Sequence, residues 1–147
     1  MSELRVDFYI LEDPSGKARL SLACKLAEKA YLGHQSVLIW HSEAAEIRQL
    51  DEMLWTFSDS SFVPHEILGV AASSAEAPVL LSVLAAPFGG VDVLINLADE
   101  VPACAGQAKR VVEIVDGNEG RRRTARARFK AYRDQGVQPT SHNIGGD

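Results

Sequence analysis

Little in this chain suits covalent crosslinking or membrane insertion. Its two cysteines, Cys24 and Cys104, lie far apart beside small or apolar neighbours, which excludes a disulfide framework and fits two reduced, buried thiols. No apolar run approaches the roughly 20 residues that cross a bilayer as a helix. The first residues, Met1-Ser2-Glu3-Leu4-Arg5, lack the apolar core of a signal peptide. These absences predict a soluble, cytoplasmic protein with no membrane partner.

Cofactor motifs are missing too. Ser15-Gly16-Lys17 looks like the end of a phosphate loop, but Leu11 stands where that loop needs its first glycine and Ala18 where it needs a metal-binding hydroxyl. No G-x-G-x-x-G follows a predicted strand, so a dinucleotide would lack its close backbone approach. His34, His41, His65 and His142 fall in unrelated segments, without cysteines or carboxylates at metal-ligand spacing, and read as ordinary loop histidines. Cys24 sits on an apolar helix stripe where a thiol is inert. Nothing in the pattern assembles a nucleophile, a base and an oxyanion donor, so we expect no catalytic residue, metal or cofactor.

What is present is a 147-residue chain, 46% hydrophobic, enough for one domain with its own core. Strands are predicted at 6–11, 36–40, 78–84, 91–97 and 111–115, with helices between them. The first helix carries Leu20, Cys24, Ala27 and Tyr31 on one stripe and stops at Gly33, and Ser42 is the expected N-cap of the second. Alternation of this kind predicts an α/β fold, a mainly parallel sheet flanked by helices. The domain is predicted over 1–138, with 139–147 a partly disordered tail and 71–77 a mobile loop.

Charge is unevenly spread. Residues 1–108 carry six basic and fifteen acidic side chains, net -9, and residues 109–147 carry nine and five, net +4. Seven of the fifteen cations fall between Arg121 and Arg133 on a predicted helix, with Asn118 or Glu119 favouring its start. At roughly 100° per residue Arg122, Arg123, Arg126, Lys130 and Arg133 share one arc, bordered by Phe129, Ala125 and Tyr132. Like charges at i and i+4 repel by a few tenths of a kcal/mol per pair, so a solvated face has no folding reason for them and an acidic partner does.

A second patch holds Trp55, Phe57, Phe62, Val63 and Pro64 around the polar turn 58–61. It either caps the core beneath the second helix or serves as a subunit contact anchored by aromatic side chains.

These residues make the chain resemble the chi subunit family of bacterial DNA polymerase III. The resemblance runs nearly end to end through Asp7-Phe8-Tyr9-Ile10-Leu11, Leu50-Asp51-Glu52-Met53-Leu54-Trp55, Ser61-Phe62-Val63-Pro64-His65, Asp92-Val93-Leu94-Ile95-Asn96-Leu97 and Val111-Val112-Glu113-Ile114-Val115. Its most specific part is 125–133, Ala-Arg-Ala-Arg-Phe-Lys-Ala-Tyr-Arg, followed by Gly136. It implies a Rossmann-like fold without a nucleotide loop or enzymatic activity, monomeric or in a heterodimer with the psi subunit, bridging the clamp loader to single-stranded DNA-binding protein. By position, the acidic C-terminal tail of that protein would meet Val115, Arg122, Arg126, Phe129 and Lys130, and the psi subunit would meet Trp55, Phe62, Val63 and Pro64. Phe129 stands where the family often has Tyr, which removes any phenolic hydrogen bond and keeps the ring. The 71–77 loop and the tail after Gly136 also depart from the family pattern. The alternative from another class is direct single-stranded nucleic-acid binding by the basic helix, for which one aromatic is a poor stacking platform.

Overall fold

The computed structural model describes residues 4–56, 63–67, 77–83, 91–102 and 105–144. In chain order these form β1 (Arg5–Ile10), α1 (Lys17–Leu32), β2 (Val37–Trp40), α2 (Ala44–Thr56), β3 (His65–Ile67), β4 (Val79–Ser82), β5 (Val91–Asn96), β6 (Ala108–Val115), α3 (Glu119–Asp134) and β7 (Thr140–Asn143). A single seven-stranded sheet runs in the order β3-β4-β2-β5-β6-β1-β7. Every strand pair is parallel, so the expected α/β architecture holds.

The apolar strand runs are explained by burial on both faces. In β2, Val37 and Ile39 enter the core layer beneath α1 and α2, while Leu38 and Trp40 enter the opposite layer, which also holds α3. Leu20, Cys24 and Ala27 of α1 and Ile47, Leu50 and Leu54 of α2 pack on the first face. Ala125 and Tyr132 of α3 pack on the second, against Val6 and Phe8 of β1 and Val111 of β6. Burial drives the Cys24 thiol up to about 12, which leaves it protonated and unreactive.

Local chemistry sets the helix starts. Asn118 caps α3, its side chain accepting from the Arg121 N–H at 2.9 Å. Before α2 the ring of His41 accepts from the Ser42 and Glu43 N–H groups at 2.8 and 3.4 Å, which fixes the turn that leads into the helix. At Gly117 a Cβ would lie 2.0 Å from the Glu12 carbonyl oxygen, so only glycine lets the β6–α3 turn lie against the β1–α1 loop. The Gly117 N–H donates to Asp13 there at 3.1 Å.

Three expectations need correcting. Residues 140–143 are not tail: they form β7, in parallel register with β1 from Asp7↔Thr140 to Ile10↔Asn143, which carries the sheet beyond residue 138. Their polar sequence, Thr-Ser-His-Asn, shows no apolar period because the strand is an edge with little to bury. β3 was also missed, since three residues reading His-Glu-Ile carry too short a pattern. His34 is an exposed turn residue as expected, but the other three histidines are not ordinary loop residues. The His41 and His65 side chains are buried beside Glu46 and Asp51, and His142 meets Asp7 at 2.9 Å. The 71–77 loop lies almost wholly outside the described residues, as does Cys104.

Candidate functional site

The sheet ends at β1 and β7, and α3 crosses one face of that end. Between them lies a cavity of about 190 Å³. Phe8 and Ile10 of β1, Val115 at the end of β6 and Ala125 of α3 supply its apolar surface. Phe129 stands along one side with its ring 5.1 Å from that of Phe8, and Ser141 of β7 closes the far side. Arg122 and Arg126, one turn apart on α3, supply its two cationic side chains.

The two guanidinium groups are held differently. Arg122 is half-buried and donates through Nε to the Asp116 carbonyl at 2.9 Å and through Nη2 to the Leu11 carbonyl at 3.0 Å. It therefore staples the ends of β1 and β6 together while keeping its charge, because carbonyls do not neutralise it. Arg126 is exposed and has no hydrogen bond or carboxylate partner among the described residues. An unpaired cation at the rim of an apolar cavity can receive a carboxylate whose neighbouring side chain fills the hollow.

Four of the five residues expected to bind an acidic tail, Val115, Arg122, Arg126 and Phe129, line this one cavity. Lys130 does not line it: it is exposed one turn further along and pairs with Asp134 at 3.0 Å. Phe8, Ile10 and Ser141 are not among the expected site residues, and Ala125 is expected only as part of the apolar strip beside the cations. The period-two pattern of β1 would have paired Phe8 with Ile10, but only β7 explains Ser141.

Two other cations of the basic run turn inward. Arg128 is buried and donates to Glu113 at 2.9 Å; Glu113, wholly buried, also accepts from the Tyr132 hydroxyl at 2.8 Å and from Asn96. Arg121 holds the buried Asp116 through Nε at 2.9 Å and Nη2 at 2.7 Å, and that pairing raises the Arg121 pKa against the pull of desolvation. These contacts fix α3 so that Arg126 and Phe129 face the cavity.

Open α/β sheets usually bind ligands outside the carboxyl ends of their strands. Here the ends of β2, β5 and β6 converge on side chains that pair among themselves. Arg19, from α1, is buried and donates to Glu46 at 2.7 Å and to the Leu97 carbonyl at 3.4 Å, and its Nε lies 4.0 Å from Asp116. Burial alone would raise the Glu46 carboxyl, but hydrogen bonds and charge from His41 and Arg19 outweigh it and hold it below its ordinary value. No group of three or more metal-ligating side chains occurs among the described residues.

At the other edge of the sheet, Trp55 is 59% exposed at the end of α2, its ring 5.2 Å from that of His65. His65 is held between the Val63 carbonyl at 2.7 Å and Asp51 at 3.1 Å. Pro64 is half-buried. Val63 is fully buried in the core, so it supports this surface from beneath and cannot offer itself to a partner as expected. Phe57 and Phe62 lie outside the described residues. No described helix is long and apolar enough to cross a membrane.

Residues 3–140 match the family described as DNA polymerase III chi subunit, HolC. The chain is 38% identical over 140 residues to DNA polymerase III subunit chi of Pseudomonas aeruginosa, covering 95% of this chain and 96% of that one. The Haemophilus influenzae subunit chi is 30% identical over 139 residues, covering 94% and 96%, and the Escherichia coli subunit 29% over 133, covering 88% and 90%. In fold alone the chain is also similar to the C-terminal domain of S. cerevisiae Dbp5 bound to Gle1 and IP6, at a TM-score of 0.65 and 11% identity over 95% of this chain and 90% of that one.

Proposed function

The chain belongs to the DNA polymerase III chi subunit family, accessory subunits of a replicative polymerase, and we propose that it bridges two protein partners without catalysing a reaction. The first partner is the acidic C-terminal tail of single-stranded DNA-binding protein, whose last apolar side chain enters the α3 cavity while its carboxylates meet Arg126 and Arg122. The second is the psi subunit of the clamp loader, which meets the surface around Trp55 and Pro64, with Phe62 in the same segment. Lys130 lies further along α3, where it extends the attraction for an acidic chain without touching the cavity. We place the protein in the cytoplasm on the same reading.

The observation that carries the tail reading is the coincidence of an unpaired Arg126 with an apolar cavity beside it. Exposed ion pairs contribute only about 0.2 to 1 kcal/mol each, whereas a micromolar complex needs about 8 kcal/mol. Filling the cavity with one apolar side chain adds about 1.5 to 3 kcal/mol, so charge and cavity must act together. The self-paired cluster around Arg19 supports a non-catalytic role, since the usual ligand crevice of such sheets presents side chains already engaged with one another.

A pull-down from bacterial lysate tests the bridge. Wild-type protein should capture both partners, Arg126→Ala should lose the single-stranded DNA-binding protein and keep psi, and Trp55→Ala should do the reverse. Retention of both partners by both variants would refute the assignment. Tight binding of bare single-stranded DNA by the purified chain would favour the nucleic-acid alternative, for which the exposed Arg123, Lys130 and Arg133 are the relevant cations.

A further inference from the structure

Among the described residues β7 is paired on one side only, with β1, and its other edge borders the cavity. The hydrogen bond from the Ile144 N–H to the Ile10 carbonyl, 2.9 Å, fixes the phase of that ladder. Backbone groups alternate sides along a parallel strand, so those of Thr140, His142 and Ile144 face β1 and those of Ser141 and Asn143 face outward. The register partners of Ser141 and Asn143 are Phe8 and Ile10, the two β1 residues that wall the cavity, and the Ser141 side chain lines it as well. The open backbone edge and the cavity thus run side by side.

Proteins usually blunt an open edge with a lysine, a proline or a bulge. Thr140-Ser141-His142-Asn143 has none of these, and Ser141 and Asn143 are both exposed. We propose that the segment preceding the cavity-bound residue lies along β7 as an added strand, exchanging backbone hydrogen bonds with the outward groups of Ser141 and Asn143. This rests on the acidic-tail reading above. The occupant is that same acidic peptide because the free edge is continuous with its cavity, and because Arg122 and Arg126 line the cavity with Ser141 and match its charge. Main-chain pairing supplies affinity that does not depend on side chains, while the cavity sets which residue comes last.

The ladder offers a clean test. A proline at an outward position removes an N–H that β1 does not use, so Asn143→Pro leaves the β1 ladder intact while blocking an added strand. Calorimetry uses a short synthetic peptide of several aspartates ending in an apolar residue with a free carboxylate. Asn143→Pro should bind it at least about fivefold more weakly than wild type, while Asn143→Ala should stay near wild type. In the wild-type protein, saturating peptide should slow exchange of the Ser141 and Asn143 amide hydrogens by about tenfold or more, with Thr140 and His142 little changed. The exchange measurement decides the matter if the proline variant does not fold. Unslowed Ser141 and Asn143 amides, with Arg126→Ala still weakening binding, would overturn the added strand and leave the tail site standing. Unchanged binding by Arg126→Ala would remove the tail site, and the added strand with it.

Discussion

Arg126 and Arg128 sit two positions apart on α3 and serve opposite purposes. Arg126 faces solvent at the cavity, whereas Arg128 is 5% exposed and locked to Glu113. Arg128→Ala would leave the Glu113 carboxyl, which burial already pushes above its ordinary value, without its cationic partner, so it should lower the thermal midpoint sharply. Arg126→Ala should leave the midpoint nearly unchanged. Equal melting of the two variants would contradict this division. The sequence shows seven cations on one helix and does not say which of them are paired. Helical periodicity did place Arg128 off the basic arc, but only the structure supplies the buried carboxylate that draws it inward.

Asp7 extends the residue-scale account to pH. Burial alone would raise its carboxyl, but hydrogen bonds from His142 and Arg110 and the charges of Arg110 and Arg5 outweigh burial and hold it below its ordinary value. A lowered folded-state value means its stabilising contribution is complete above about pH 4 and fades as pH falls further. The stability gap between wild type and Asp7→Asn, followed by urea unfolding, should therefore narrow from about pH 6 to below about pH 3. A gap that stays constant would exclude the linkage.

Among the elements, α3 was the most legible and β7 the least. A charge run, the adjoining Phe129 and Asn118 or Glu119 at its start identify α3 from sequence, and the structure makes Asn118 the cap. An exposed edge strand has only one neighbour and buries little, so Thr140-Ser141-His142-Asn143 looks like tail. What holds it is invisible in sequence: the ladder to β1, His142 on Asp7 at 2.9 Å, and the His142 ring stacked on Tyr9 at 4.8 Å. Deleting residues 140–147 should therefore lower stability and weaken binding of an acidic peptide, since Ser141 walls the cavity. A deletion without effect on either would restore the tail description.

On the scale of the whole molecule, the two candidate surfaces lie at opposite ends of the sheet. Trp55 and His65 stand by β3 at one edge, and the α3 cavity by β1 and β7 at the other. Six strand spacings of about 4.8 Å separate the edges by roughly 29 Å, enough for two partners to bind together without collision. The formal charge of -5, with residues 109–147 at +4, suits the proposed division, in which the cationic edge receives an acidic segment. Exposed charges are screened within about 8 to 10 Å at moderate ionic strength, so the acidic partner should bind more weakly as salt rises, with the apolar contribution remaining.

The most direct measurement is a calorimetric titration of wild-type protein and Arg126→Ala with an acidic peptide ending in an apolar residue and a free carboxylate. We predict micromolar binding by wild type and at least about tenfold weaker binding by the variant, roughly 1.4 kcal/mol, with unchanged thermal unfolding. Equal affinity for the two proteins would contradict the site.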